Sequence, residues 1–172
     1  GESEVDDRVA PIYTQFANPE TTILAAAGDI TLQFRAIADR EDEAQALLAA
    51  LADPIRAELG DRIYSENGDS LEDTVVQLLD ARGATLAVAE SCTGGALAAR
   101  ITDVPGASRV FAGGFLVYTD AQKAGLLGVD PALIEAHSAV SEEVAAQLAA
   151  NALARTGTDY ALSVTGYAGP EG

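Results

Sequence analysis

The sequence predicts an α/β protein, with a largely parallel covered sheet preceded by a small α+β unit. Three observations carry this. From residue 70 onward, short, nearly all-apolar runs alternate with helix-periodic ones, the pattern of a sheet buried on both faces. Glycine-rich joints follow the apolar runs, at Ser91-Cys92-Thr93-Gly94-Gly95 and at Gly166-Tyr167-Ala168-Gly169-Pro170. Finally, the turn-rich stretch Glu66-Asn67-Gly68-Asp69 separates this pattern from a different one before it, which divides the chain into residues 1–69 and 70–172.

In the first unit, Val5, Val9, Ile12 and Phe16 recur at helical spacing, and Asn18-Pro19 ends that run because the residue before proline is pushed out of the α region. Thr22 to Ala38 reads as a strand, alternating at Ile30, Leu32, Phe34 and Ala36, with Gly28-Asp29 marking a turn or a bulge. Asp39 to Leu59 reads as a helix with Ala44, Leu47, Leu48, Leu51, Ile55 and Leu59 on one face, kinked or split at Pro54. Asp61 to Ser65 completes the unit as a short strand.

The second unit opens on Ser70-Leu71-Glu72-Asp73, a capping box before Val75, Leu78 and Leu79, and Gly83 ends the helix. Ala84 to Ala89 is a strand, Ala96 to Thr102 a helix, Val110 to Thr119 a strand and Ala121 to Leu127 a short helix. Ser141 caps a helix running to Arg155, whose buried stripe is Val144, Ala145, Leu148, Ala149 and Leu153. Asp159 to Thr165 is a third buried strand.

Composition narrows the function. The 172 residues carry 27 acids against 10 bases, a net charge of −17, and neither half offers the basic face that nucleic acid or an anionic membrane requires. No uncharged run approaches the roughly 20 apolar residues of a spanning helix, and the acidic N-terminus, Gly1 to Arg8, is unlike an export signal, so a cytoplasmic location is expected. One cysteine and one histidine argue against a disulfide and against a structural zinc site, and no metal or cofactor is called for. Lys123 is the only lysine; every other base is arginine. An ammonium, unlike a guanidinium, loses its proton readily when buried.

Ser91 stands at the carboxyl end of a strand, where ligands sit in parallel α/β sheets. The stretch is neither a G-x-S-x-G elbow nor a P-loop, which would have Lys where Ala96 stands. Two readings of Ser91 stay open: a hydroxyl closing a tight turn, or a nucleophile. For the second, Lys123 would be the base, with Tyr118 relaying the proton or holding the amine. Otherwise Lys123 is an exposed helix residue paired with Asp120. His137 reads as a polar loop residue without an orienting carboxylate. Cys92 is either a rival thiol or a small residue packed under the turn, facing away from its neighbour Ser91.

These residues fall in motifs that resemble one family. AESCTGG (Ala89–Gly95), ITDVPGASRVFAGGF (Ile101–Phe115), VYTDAQKAGLLGV (Val117–Val129), AVSEEVA (Ala139–Ala145) and VTGYAGPEG (Val164–Gly172) are similar to the C-terminal domain of the CinA family, also called PncC. Residues 5–66 resemble the small KH-type domain before it. The resemblance implies a nicotinamide-nucleotide amidase that converts nicotinamide mononucleotide to nicotinate mononucleotide and ammonia. Its alternative is a non-catalytic, competence-linked regulatory or assembly module. It implies Ser91 as nucleophile, with Tyr118 and Lys123 completing the catalytic set. Cys92, Thr93, Gly94 and Gly95 would form the oxyanion site, and Thr165, Gly166, Ala168 and Gly169 would line the pocket of a small-molecule nucleotide substrate.

A homodimer is expected, with neither nucleic acid nor membrane as partner. The KH-type unit has no G-x-x-G loop with basic flanks, so its likeness to RNA-binding modules is architectural, and dimer contacts or the holding of neighbouring domains suit it better. The family's Tyr-Ser-Asn-Glu-Ala-Lys reads Tyr118-Thr119-Asp120-Ala121-Gln122-Lys123 here. Ser138 stands where the family commonly has Gly, and Tyr167 where it has Ile. A family domain resembling molybdopterin-biosynthesis proteins, linked to ADP-ribose pyrophosphatase activity, is expected before residue 1. A further strand and a closing helix are expected after residue 172, and without them the domain would lose core and activity.

Overall fold

The computed structural model describes residues 1–26 and 28–169, and the chain divides into two units, Gly1–Glu66 and Asn67–Gly172. The first unit is two helices and a hairpin: α1 (Glu2–Tyr13), β1 (Glu20–Ala26), β2 (Asp29–Arg35) and α2 (Glu41–Leu59). The single strand expected over Thr22 to Ala38 is two antiparallel strands, paired from Glu20 opposite Arg35 to Ala26 opposite Asp29. Gly28, at φ 93°, therefore sits in a turn rather than a bulge, and Ala27 lies outside the described residues. Helix α2 runs through Pro54 unsplit, because Leu51, Ile55 and Leu59, on either side of the proline, are buried on one face with Val9 of α1. Asp61 to Ser65 forms no strand. Gly60–Arg62 is a 3₁₀ turn, and the sheet of this unit consists of β1 and β2 alone.

The second unit is an α/β sandwich around three parallel strands, β3 (Leu86–Glu90), β4 (Phe111–Leu116) and β5 (Tyr160–Val164), in the order β4-β3-β5. Helix α3 (Leu71–Arg82) begins at Ser70, whose Oγ accepts from Asp73 N at 3.1 Å while Asp73 reaches back to the Ser70 amide, the expected capping box. Every residue of β3 is buried. Its Leu86 and Val88 face a cluster with Val76 and Leu79 of α3 and Ile101 of α4 (Ala96–Thr102). Ala89 faces the other way, to Leu127 of α5 (Asp120–Leu127) and to Val144, Leu148 and Ala152 of α7 (Glu142–Thr156).

A bulge lets β4 serve both faces. Leu86 pairs with Phe111, but Ala87 pairs with Gly113, so one extra residue reverses the side-chain alternation. Phe111 consequently packs in the α3–α4 cluster and Phe115, four residues on, in the opposite one. Gly114 is the point of closest approach: a Cβ there would lie 2.5 Å from both the carbonyl oxygen and Cγ2 of Val88.

Two sequence expectations fail in this unit. A helix, α6 (Pro131–His137), occupies the stretch before α7, with Asp130 as N-cap accepting from Ala132 N and Pro131 in its first turn. Strand β5 is less buried than expected: among the described residues it pairs with β3 alone, and Tyr160 and Leu162 are exposed to about half of their area (52% and 49%). No helix among the described residues is long and apolar enough to cross a membrane.

Candidate active site

All three strands end on the same side of the second unit. The chain leaving β3 enters α4 on one face, and the chain leaving β4 enters α5 on the other. The crevice between two such strand ends is where open α/β sheets bind ligands. Ser91, the first residue after β3, lies there and is 4% exposed. Its amide donates to Val164 O of the β5 end at 2.9 Å, and its carbonyl accepts from Gly94 N at 3.1 Å, which fixes the backbone on both sides. The hydroxyl is left facing Tyr118 O, 3.5 Å away, at the end of β4.

Lys123 reaches the same oxygen from the other face. Thr119 caps α5, accepting from Gln122 N at 3.3 Å, and one turn later Lys123 and Leu127 share the inward side of the helix. Lys123 is only 2% exposed, and its Nζ donates to Tyr118 O at 3.2 Å and pairs with Asp120 Oδ1 at 3.4 Å. Ser91 and Lys123, 32 positions apart, thus share one carbonyl acceptor. Tyr118 contributes that carbonyl rather than its phenol, since the residue is 59% exposed. Asp120, where the family motif has Asn, brings a carboxylate to the amine from a largely exposed side chain.

The oxyanion set needs correction. Gly94 N is used by Ser91 O, and Gly95 N donates to Glu90 Oε2 at 3.1 Å, so neither amide is open to a substrate. Glu90 also accepts from Leu97 N at 3.0 Å and from Ala98 N at 2.8 Å. It is buried, and desolvation raises its pKa. The Ala98, Leu97 and Gly95 amides outweigh this and hold the carboxyl below its ordinary 4.5. Thr93 Oγ1 lies on that side and is itself fully buried, yet has no partner in hydrogen-bond geometry. The amides of Cys92 and Thr93 donate to no described residue, and they remain as the turn's free donors.

Glu90 is the residue that sequence reasoning missed. The signal was present: Gly95 begins α4 at φ 101° with no side chain to cap it, so a helix entered through two left-handed glycines must take its acceptor from elsewhere.

Cys92 turns away from the pair, as expected of adjacent residues, toward the β5 side, where a Cβ on Gly166 would come within 3.0 Å of its Sγ. The Thr165 hydroxyl is committed to Ala139 O at 2.8 Å. Ala168 and Gly169 are exposed, and no hydrogen bond among the described residues joins them to Ser91 or Lys123; Pro170 lies outside those residues. His137 ends α6 instead of lying in a loop, and it does have an orienting carboxylate, Glu143 Oε1 at 3.2 Å from Nδ1, with both side chains exposed. Among the described residues no group of three or more His, Cys, Asp or Glu side chains is placed to hold a metal ion.

Residues 68–172 match the CinA C-terminal domain, and residues 1–65 match the damage-inducible protein CinA KH domain. The chain belongs to the CinA family. A CinA-like protein of Solibacter usitatus is 54% identical over 171 residues, covering 99% of this chain and 41% of the relative. A putative competence-damage inducible protein of Moorella thermoacetica is 44% identical over 172 residues, 100% of this chain and 41% of the relative. The chain therefore spans about two fifths of the length of these CinA-family relatives.

Among solved structures, the competence/damage inducible protein CihA from Agrobacterium tumefaciens superposes with a TM-score of 0.59 at 35% identity, over 64% of this chain and 67% of that one. A CinA superfamily protein from Escherichia coli gives 0.59 at 35% identity, over 66% and 69%.

Proposed function

We propose that this CinA-family chain is an amidohydrolase acting on nicotinamide mononucleotide, and that Ser91 and Lys123 carry the reaction. The observation supporting it is the burial of the only lysine against the carbonyl that the Ser91 hydroxyl also faces. A buried ammonium is costly, and a chain that otherwise uses arginine has no structural need to hold a lysine there. A non-catalytic competence-linked module, the reading that the relatives' names suggest, would leave Lys123 facing water.

In the first half-reaction, Lys123 Nζ acts as the base and takes the proton as Ser91 Oγ bonds to the carboxamide carbon. The Cys92 and Thr93 amides donate to the oxygen that becomes negative, a contribution of about 3 kcal/mol per donor in acyl transfer. The C–N bond then breaks and the proton passes from Lys123 to the departing ammonia. Water attacks the seryl ester by the same route in reverse, giving the carboxylate and restoring Ser91. Tyr118 holds the lysine through its main chain, and its side chain is exposed.

Ammonia release from nicotinamide mononucleotide by the purified full-length protein tests this directly. Ser91→Ala and Lys123→Ala should each reduce the rate by at least about 10³-fold, as loss of a nucleophile or its base does elsewhere. Cys92→Ala should retain activity; the opposite pattern, Ser91→Ala active and Cys92→Ala dead, would reassign the nucleophile. The homodimer belongs to the same proposal, and light scattering on the purified protein decides it.

A further inference from the structure

We infer that Glu90 is a positioning residue for Ser91: its buried carboxylate clamps the amides of Gly95, Leu97 and Ala98, and so fixes the turn that presents the Ser91 hydroxyl. The inference rests on the amidase reading for its consequence, while the clamp stands on geometry alone.

Glu90 is the last residue of the central strand, paired with Leu116 on one side and Val164 on the other, and its carbonyl accepts from Val117 N at 2.8 Å. Its backbone is therefore held by the whole sheet. Its side chain reaches forward over the turn, Oε2 to the Gly95 and Leu97 amides and Oε1 to Ala98. Ser91 lies between these two anchors, and Gly94 N closes the turn on Ser91 O.

No ion pair to Glu90 exists among the described residues, and the residue is 2% exposed. A buried carboxylate without a cation keeps its charge only while several N–H groups point at it. Here they are the otherwise unsatisfied donors at the start of α4. Carboxylate and helix start satisfy each other, so a change in either frees the Ser91 turn. The same occupancy explains why substrate cannot use these amides, and why Cys92 and Thr93 are left to act as donors.

The decisive comparison is the unaltered full-length protein against its Glu90→Gln and Glu90→Asp variants, each checked by circular dichroism. The glutamine places an N–H₂ against a backbone N–H, and the aspartate keeps the charge but falls short of the helix. Three readouts separate the possibilities. The first is labelling of Ser91 by a fluorophosphonate: Ser91 Oγ bonds to phosphorus, fluoride leaves, and the proton passes to Lys123. The second is kcat and KM with nicotinamide mononucleotide. The third is hydrogen exchange at Gly95, Leu97 and Ala98.

In folded variants, labelling and kcat should fall by about 10- to 100-fold with KM nearly unchanged, the size of loss that a small misplacement of a reacting group produces, and exchange at the three amides should speed up. Wild-type labelling and kcat in either folded variant would overturn the inference. Failure of both variants to fold would overturn it too, making Glu90 a requirement of the whole domain. An unaltered protein that neither labels at Ser91 nor releases ammonia, yet protects the three amides through Glu90, would sink the amidase reading and leave the clamp in place.

Discussion

Two polar side chains, the Ser91 hydroxyl and the Lys123 amine, meet at one main-chain oxygen, and at the residue scale this decides what a mutation does. Tyr118→Phe removes a phenol but not the carbonyl, so the lysine keeps its anchor. Its activity should fall much less than that of Lys123→Ala in the same ammonia assay. Ser138 tells a different story. It is the only non-glycine residue with positive φ among those described, at φ 73° and ψ 152°, a region almost closed to side chains, and it stands where the family commonly has glycine. Ser138→Gly should raise stability by about 1 kcal/mol, measured by urea denaturation.

Glu90 also gives a signed pH dependence. Its pKa is lower folded than unfolded, so its stabilising effect is complete above about pH 4.5 and disappears as pH falls through the folded value. The stability gap between the unaltered protein and Glu90→Gln should therefore be constant near neutrality and close on acidification below pH 4.5.

At the scale of elements, close packing sets the tolerances. Gly114→Ala drives a Cβ into the Val88 backbone, which cannot retreat without breaking the β3–β4 ladder, and about 1–3 kcal/mol of destabilisation is expected from such overpacking. Leu148 is fully buried in α7 against Ala89 of the central strand, so Leu148→Ala should cost about 2–5 kcal/mol by the same measurement.

Elements also show what local pattern conveys. Ser70, Gly83, Thr119 and Ser141 act through hydrogen bonds within their own turn, so the starts and ends they mark are readable from a few neighbours. The hairpin at Gly28 was ambiguous because a bulge and a turn place the same demand on one glycine, and only pairing with the other strand separates them. Helix α6 was missed although Asp130-Pro131 is a cap followed by a first-turn proline, because seven residues give too short a period to stand out.

For the whole molecule, charge is the dominant global term. A net charge of −17 on 172 residues repels itself, and the ion pairs, such as Arg109 with Asp80 and Arg100 with Glu72, sit largely at the surface where each contributes little. Since the screening length shortens from about 10 Å at 0.1 M salt to about 3 Å at 1 M, the melting temperature should rise with sodium chloride over that range. A flat or falling curve would show that specific ion pairs outweigh net repulsion.

What the amino-acid order determined by itself was the set of parts: an α/β unit after an α+β one, its helix caps, and a serine, a tyrosine and a lysine in recognisable motifs. Those arise from neighbours within one turn or one strand. Only the tertiary structure decided that the Tyr118 carbonyl, not its ring, joins serine to lysine, that Glu90 takes the Gly95 amide expected to face an oxyanion, and that β3 lies between β4 and β5. Each depends on which strands lie side by side and which face each helix covers, and pairing between segments far apart in the chain leaves no periodic trace in either segment alone.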